Sequence, residues 1–205
     1  MSFRPFQPNG STLAAASVVI GAVLFMCLSA WIFSPSWMRA FRSDSSPVSW
    51  LSSALLLTLA VVSARLTAEK SLSPRLGTWL ALALLGLAID EQFMFHELWK
   101  YRCVEWITLC EMAWLRELPI ILVGILGTIT AVFLGRAFGS QTSRCLMWIG
   151  IGIGLFSILV DQTSMPSPVA ELEEGFEVLA EAFFLAALLT VWPKKAGYVQ
   201  SSSRY

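Results

Sequence analysis

Long apolar blocks separated by short polar connections run through the whole chain. A helix needs about 20 apolar residues to cross hydrocarbon about 30 Å thick, and six blocks reach or approach that length. They are Thr12–Phe33, Trp50–Leu66, Leu76–Glu97, Leu118–Phe138, Cys145–Val160 and Glu174–Trp192. The blocks are continuously apolar rather than alternating, which favours helices over a β-barrel. The pattern predicts an all-α fold, a polytopic transmembrane bundle of about six helices that forms a single domain over residues 1–205.

The longest connection, residues 99–117, differs from the others because it is rich in aromatic residues, including Tyr101, Trp106 and Trp114. Such a segment is typical of the membrane interface, and a plain extended loop is the alternative. It also contains Cys103 and Cys110. A continuous helix would hold their Cα atoms about 10 Å apart, too far for a disulfide. A bridge is therefore predicted if the segment is irregular and faces an oxidising compartment.

Composition agrees with a membrane protein. Hydrophobic residues make up 56% of the chain and charged residues 14%, against roughly 25% charged in soluble domains. The formal net charge is zero and no basic tract is present, so nucleic acid is not an expected partner. Membrane lipid is the expected surrounding. The first block is longer than the apolar core of a cleavable signal and is interpreted as a retained helix.

The distribution of Lys and Arg predicts the orientation. Nine lie on the side of the N-terminus: Arg4, Arg65, Lys70, Arg75, Arg136, Arg144, Lys194, Lys195 and Arg204. Five lie on the other side: Arg39, Arg42, Lys100, Arg102 and Arg116. Because cytoplasmic loops carry the excess of positive charge, both termini are predicted to be cytoplasmic. The predicted location is a membrane, the inner membrane if the host is a bacterium.

Acidic residues gather at the ends of three blocks. The third ends in DEQFMFHE (residues 90–97), the fifth ends at Asp161, and the sixth begins EEGFE (residues 173–177), with Glu181 one turn deeper. Alternating spans bring these three ends to one face, predicted to be extracytoplasmic. A charged group at the membrane centre costs roughly 2.5 kcal/mol or more, and few Lys or Arg lie nearby.

A bound divalent metal ion would compensate this acidic excess, because hard cations accept clustered oxygen ligands and an imidazole. We predict Asp90, His96, Glu173 and Glu177 as metal ligands. Glu91 and Glu181 are predicted to carry protons as catalytic groups. The alternative is that acids near the helix ends are simply solvated or favoured by the helix dipole. That alternative applies best to Glu97, Asp161, Glu171, Glu173 and Glu174.

The DEQFMFHE block followed by EEGFE resembles uncharacterised bacterial multi-pass membrane proteins with DE/DD-x4-HE and EE-x2-E motifs. The resemblance covers about twenty residues. It implies no known activity and no substrate. It does imply that the acids of the two blocks and His96 act together.

Three functions follow from these features. The first is a metal-binding membrane protein, in its fullest form an enzyme acting on a lipid or quinone-like substrate. The chain has no Glu-x-x-His and only one His, which argues against a standard di-iron or tri-His zinc site. The second is a cation or proton pathway, and the third a non-catalytic subunit of a larger membrane complex. Gly150 and Gly154 form a small-x3-small surface on which a partner subunit or a second copy could pack.

Overall fold

The computed structural model describes residues 10–42, 46–163 and 165–191 of the chain. These residues contain eight α-helices and no strand, which confirms the all-α prediction. The helices are α1 (Gly10–Ile32), α2 (Pro47–Ala68), α3 (Pro74–Phe93), α4 (Phe95–Trp106), α5 (Ala113–Arg116), α6 (Leu118–Ala137), α7 (Gln141–Gln162) and α8 (Glu173–Val191). Short 3-10 helices span Trp37–Ala40, Thr108–Glu111 and Ala170–Leu172. The six predicted blocks correspond to α1, α2, α3, α6, α7 and α8.

Three of the long helices begin at a serine that caps them. The Ser46 and Ser73 side chains accept hydrogen bonds from the first turns of α2 and α3, each of which starts with a proline. Ser140 caps α7 in the same way. A serine oxygen satisfies an amide that the helix leaves unpaired, and proline suits the first helical position. The serines and prolines between the apolar blocks therefore determine where these helices start.

The third predicted block ends earlier than expected. Met94 adopts a left-handed conformation with φ 55°, so α3 stops at Phe93 and α4 starts at Phe95. A non-glycine residue in this conformation breaks a right-handed helix. The predicted boundary at Glu97 is wrong for this reason, and His96 and Glu97 lie in the first turn of α4.

The protein is an integral membrane protein by the length and composition of its helices. Five helices are long and apolar enough to span a bilayer, namely α1, α2, α3, α6 and α7. Their outer surfaces remain apolar, as at Leu24 and Trp31 of α1, which are 62% and 74% exposed. The sixth predicted span, α8, carries four carboxylates in 19 residues and is not among these five.

Helix α8 lies at the centre of the bundle and packs against α1, α2 and α7. Close approach to α7 depends on glycine. A Cβ atom at Gly150 would lie 3.0 Å from the carbonyl oxygen of Ala180, and one at Gly154 would lie 3.6 Å from the Ala180 side chain. The predicted small-residue surface is thus covered by α8 of the same chain. Binding of a partner subunit or of a second copy stays a prediction, and it would require a different surface.

The segment between α3 and α6 is irregular and cross-linked. Ile107 is extended and ends α4, and beyond it Cys110 returns to form a disulfide with Cys103, with Cα atoms 5.8 Å apart. Both cysteines are buried. The Trp99 indole donates a hydrogen bond to the carbonyl oxygen of Leu115. The predicted disulfide and its structural condition are confirmed, and the interfacial position of residues 99–117 stays a prediction.

Candidate functional site

A cavity of about 470 Å³ lies at one end of the bundle, and we call it the acidic chamber. Its wall comes from the start of α2, the end of α3, the starts of α4 and α6, the end of α7 and the start of α8. The predicted convergence of the ends of α3 and α7 with the start of α8 is therefore confirmed. Its carboxylates are Asp90, Glu91, Glu97, Asp161, Glu171, Glu173, Glu174, Glu177 and Glu181.

Three of these carboxylates form a compact group, which we call the glutamate trio. Glu91 comes from α3, and Glu174 and Glu177 come from successive turns of α8, where residues three apart share a face. One carboxylate oxygen from each lies within 4.8 Å of the other two. All three side chains are partly buried. Among the described residues, this trio is the group of His, Cys, Asp or Glu close enough to share one ion.

Serine hydroxyls reach into the chamber from two neighbouring helices. Ser49 and Ser52, one turn apart on α2, donate hydrogen bonds to Glu91 Oε1 at 3.1 Å and to Glu181 Oε1 at 2.8 Å. Ser157 of α7 donates to Glu177 Oε1 at 3.4 Å. These serines were not predicted from the sequence. Their signal is that they are serines inside apolar spans, where a hydroxyl needs a partner.

Glu181 lies one turn deeper than the trio and is the most enclosed of the acids. Its side chain lines the chamber and the residue is only 9% exposed. Ser52 satisfies Oε1, but Oε2 is buried without a hydrogen-bond partner among the described residues. An unsatisfied buried oxygen costs about 1–3 kcal/mol, and more if it is charged. The deep end of the chamber is thus short of a donor or a positive charge.

Asp90 and His96 form a closed pair at the chamber wall. Asp90 Oδ1 accepts a hydrogen bond from the His96 backbone amide at 3.0 Å, and Oδ2 lies 2.8 Å from His96 Nδ1. The left-handed Met94 turns the chain back and makes this contact possible. The hydrogen bond to Asp90 raises the pKa of His96, helped by the charges of Asp90, Glu97 and Glu91 against the opposing effect of burial.

Among the described residues, the Arg and Lys side chains paired with acids of this region lie at the edge of the chamber. Arg42 is 72% exposed and pairs with Glu171 at 3.0 Å. Lys100 Nζ lies 3.8 Å from Glu117 Oε1. Burial opposes charge on Lys100, but the acids Asp161, Glu117 and Glu97 outweigh it and raise the pKa of the amine. These pairs leave the acidic excess around the trio in place.

The predicted site residues divide into separate groups. Glu177, a predicted ligand, is in the trio, and so is Glu91, predicted as a proton carrier. The predicted ligands Asp90 and His96 bond to each other. Glu173 lines the chamber outside the trio, and its carbonyl oxygen accepts a hydrogen bond from Ser157.

The third trio member, Glu174, was not predicted as a ligand. The signal that could have identified it is its three-residue spacing from Glu177.

A second cavity, of about 690 Å³, adjoins the chamber between α3 and α6, and we call it the apolar crevice. Asp90 and His96 line both cavities. The rest of the crevice wall is almost entirely apolar and includes Leu122 and Leu126 of α6 and Phe184 of α8. The Asp90–His96 pair therefore stands at the boundary between an acidic and an apolar space.

Comparison of the chain with protein-family models, with curated proteins and with solved structures found no match. The resemblance of the two acidic blocks to bacterial multi-pass membrane proteins therefore stays a prediction.

Proposed function

We propose that this integral membrane protein binds a divalent cation in the acidic chamber through Glu91, Glu174 and Glu177. The observation that carries the proposal is the convergence of one oxygen from each within 4.8 Å. Two oxygens bound to one Ca²⁺ at about 2.3–2.6 Å can be at most about 5.2 Å apart, so the trio fits a single ion. All three donors are carboxylate oxygens, which suits Ca²⁺, Mn²⁺ or Mg²⁺ rather than a softer metal.

The shortage of positive charge supports the same proposal. The trio lies between α3 and α8, and carboxylates at membrane depth are costly. Arg42 and Lys100 pair with acids at the chamber edge. An ion in the trio would also lie on the side of Glu181, whose Oε2 has no hydrogen-bond partner among the described residues. Serine hydroxyls on Glu91 and Glu177 would hold these ligands in orientation.

The proposal includes a role for the neighbouring pair as a proton carrier. A bound ion of this kind polarises a substrate oxygen or activates water. Asp90 holds the His96 ring through Nδ1 at 2.8 Å, the arrangement in which the other ring nitrogen can exchange a proton. The sequence predicted Glu91 and Glu181 as proton carriers. In this proposal Glu181 remains a proton carrier, and His96 takes the place of Glu91.

A continuous cation or proton pathway is less well supported. Beyond Glu181 the buried residues of α8 are Ala182, Leu185, Ala186, Ala187 and Leu188. A relay needs polar groups or water at each step, and the buried side chains of this stretch of α8 are apolar. A non-catalytic subunit needs no ion at all, so metal content separates it from the proposed function.

The test is metal content and thermal stability of the full-length protein in detergent. The protein would be treated with a chelator, reloaded with Mn²⁺ and analysed for metal. We expect one ion per chain and a higher melting temperature on reloading, since an ion at 100 times its Kd stabilises the native state by about 2.7 kcal/mol. Glu177→Gln should lose both effects. Glu105→Gln, which alters an exposed acid of α4, should retain both.

The opposite result would overturn the proposal. A parent protein without stoichiometric metal, together with a Glu177→Gln variant that melts higher, would show that the trio is only repulsive acid. The non-catalytic subunit would then be the better description.

A further inference from the structure

The wall of the apolar crevice is apolar along most of its length. One wall is α3, with Trp79, Leu80 and Leu87, and the other is α6, with Leu122 and Leu126. The Trp79 indole donates to Thr130 Oγ1 at 3.0 Å, so the polar atoms of both residues are paired across the crevice. Polar side chains able to meet a ligand therefore concentrate at one end, where Asp90 and His96 stand.

The dimensions of the crevice fit a bound molecule. Ligand sites usually measure about 300–1,000 Å³, are mostly apolar and carry a few polar groups that fix orientation. A volume of about 690 Å³ with a single polar end matches this description. The shape is amphipathic, so the complementary ligand is a molecule with one apolar chain and one small polar head.

The charged groups beside the crevice determine which polar head the ligand can carry. Nine carboxylates line the adjoining acidic chamber, and they disfavour a phosphate, sulfate or carboxylate head. Among the described residues that line the crevice, the one carboxylate, Asp90, already bonds to His96 through both of its oxygens, so a cationic head gains little from it. A hydroxyl carries no charge, and it can both donate to a carboxylate and accept from or donate to a histidine nitrogen.

We propose that the apolar crevice binds a single-chain amphiphile with an uncharged hydroxyl head. Its chain lies between α3 and α6, and its hydroxyl reaches His96 Nε2 at the boundary with the acidic chamber. This inference rests on the proposed function for the chemistry at the acidic chamber, and it supplies the substrate class of that site.

The test uses two photoreactive probes that share one diazirine-bearing chain, a hexadecanol and the corresponding hexadecyl sulfate. Each would be added to the full-length protein in nanodiscs, cross-linked and mapped by peptide mass spectrometry. We expect the alcohol to label crevice residues of α3 and α6 about tenfold more than the sulfate, because like charges disfavour the sulfate head.

Two glycines of α6 provide a matched pair of variants. Gly127 lines the crevice, Gly124 does not, and a Cβ atom at either would meet no atom within 4 Å. Gly127→Phe should fill the crevice and abolish labelling by the alcohol, whereas Gly124→Phe should leave it unchanged. Gly86→Phe blocks the same space from α3 and replaces Gly127→Phe if that variant does not fold.

Two results would overturn the inference. Equal labelling by both probes would mean that ordinary bilayer chains fill the crevice, and undiminished labelling of the blocked variants would mean that the probe binds elsewhere. Metal content measured on the same samples keeps the two proposals separate. Selective labelling without a bound metal would defeat only the proposed ion, and a bound metal without selective labelling would defeat only the amphiphile.

Discussion

Serine hydroxyls allow carboxylates to lie among apolar helices. Ser52 is fully buried on α2, and its hydroxyl donates to Glu181 across the interface with α8 at 2.8 Å. The acceptor belongs to a side chain whose other oxygen has no hydrogen-bond partner among the described residues. This single contact therefore satisfies half of the most deeply buried carboxyl group in the chamber.

Replacing Ser52 with alanine should destabilise the protein by about 1–3 kcal/mol, because Glu181 Oε1 would lose its donor while staying buried. Titration with sodium dodecyl sulfate in mixed micelles would measure the free energy of unfolding. Ser17→Ala is the control, since Ser17 is exposed and bonds only within its own helix. We expect the control to change stability by less than about 0.5 kcal/mol. Equal effects of the two variants would show that the Ser52 contact is unimportant.

Helix α8 is both rich in acidic residues and well buried, two properties that usually exclude each other. It carries Glu173, Glu174, Glu177 and Glu181 in its first half, yet its second half is almost entirely apolar, with Ala182 and Ala186 fully buried. No residue of α8 is exposed, because neighbouring helices cover both of its halves. Its packing against α7 is close because Gly150 offers no side chain where the Ala180 carbonyl approaches.

Gly150→Ala should push α7 and α8 apart. The new Cβ atom would lie 3.0 Å from the Ala180 carbonyl oxygen and 3.3 Å from Phe183 Cβ. Overpacking of this kind costs about 1–3 kcal/mol. Gly152→Ala is the matched control on the same helix, since its Cβ atom meets nothing within 4 Å, and alanine there should be neutral or stabilising by up to about 1 kcal/mol.

Unfolding midpoints in the same detergent titration compare the two glycine variants. If Gly150→Ala is as stable as Gly152→Ala, the close approach of α7 and α8 contributes nothing to stability. The metal affinity of Gly150→Ala should also fall, because Glu174 and Glu177 move with α8.

At the scale of the whole molecule, the alternation of long helices sets the position of the chamber. The chamber receives the end of α3, the start of α6, the end of α7 and the start of α8. The start of α1 and the end of α8 consequently belong to the opposite end of the bundle. Arg65, in the last turn of α2, and Lys70, just after α2, also lie there, away from the acids of the chamber.

We predict that the chamber faces the extracytoplasmic side and that both termini are cytoplasmic, because nine of fourteen Lys and Arg lie on the terminal side and cytoplasmic loops carry the positive excess. An exported-only reporter enzyme fused after Glu111 should be active, and the same reporter fused to the C-terminus should be inactive. An active C-terminal fusion would mean either that the orientation is reversed or that α8 does not cross. The fusion after Glu111 distinguishes these two cases.

Several features of this protein follow from the sequence alone. The length and polarity of the apolar blocks determine the number of long helices, and alternation of spans forces their acidic ends together. The Cys103–Cys110 bridge was predicted for an irregular segment that faces an oxidising compartment, and the break at Ile107 meets the first of these conditions. Each of these inferences depends on local composition or on the order of elements along the chain. None of them requires knowing how a helix is rotated about its axis.

The identity of the residues that meet was decided by the tertiary structure. Continuously apolar helices have no polar face to fix their rotation about their own axes, so the pairing of Glu91 with Glu174 and Glu177 follows only from packed side chains. The left-handed Met94 redirected His96 towards Asp90. The apolar crevice exists because α3 and α6 make few contacts, and a space between helices distant in sequence has no signature in either one.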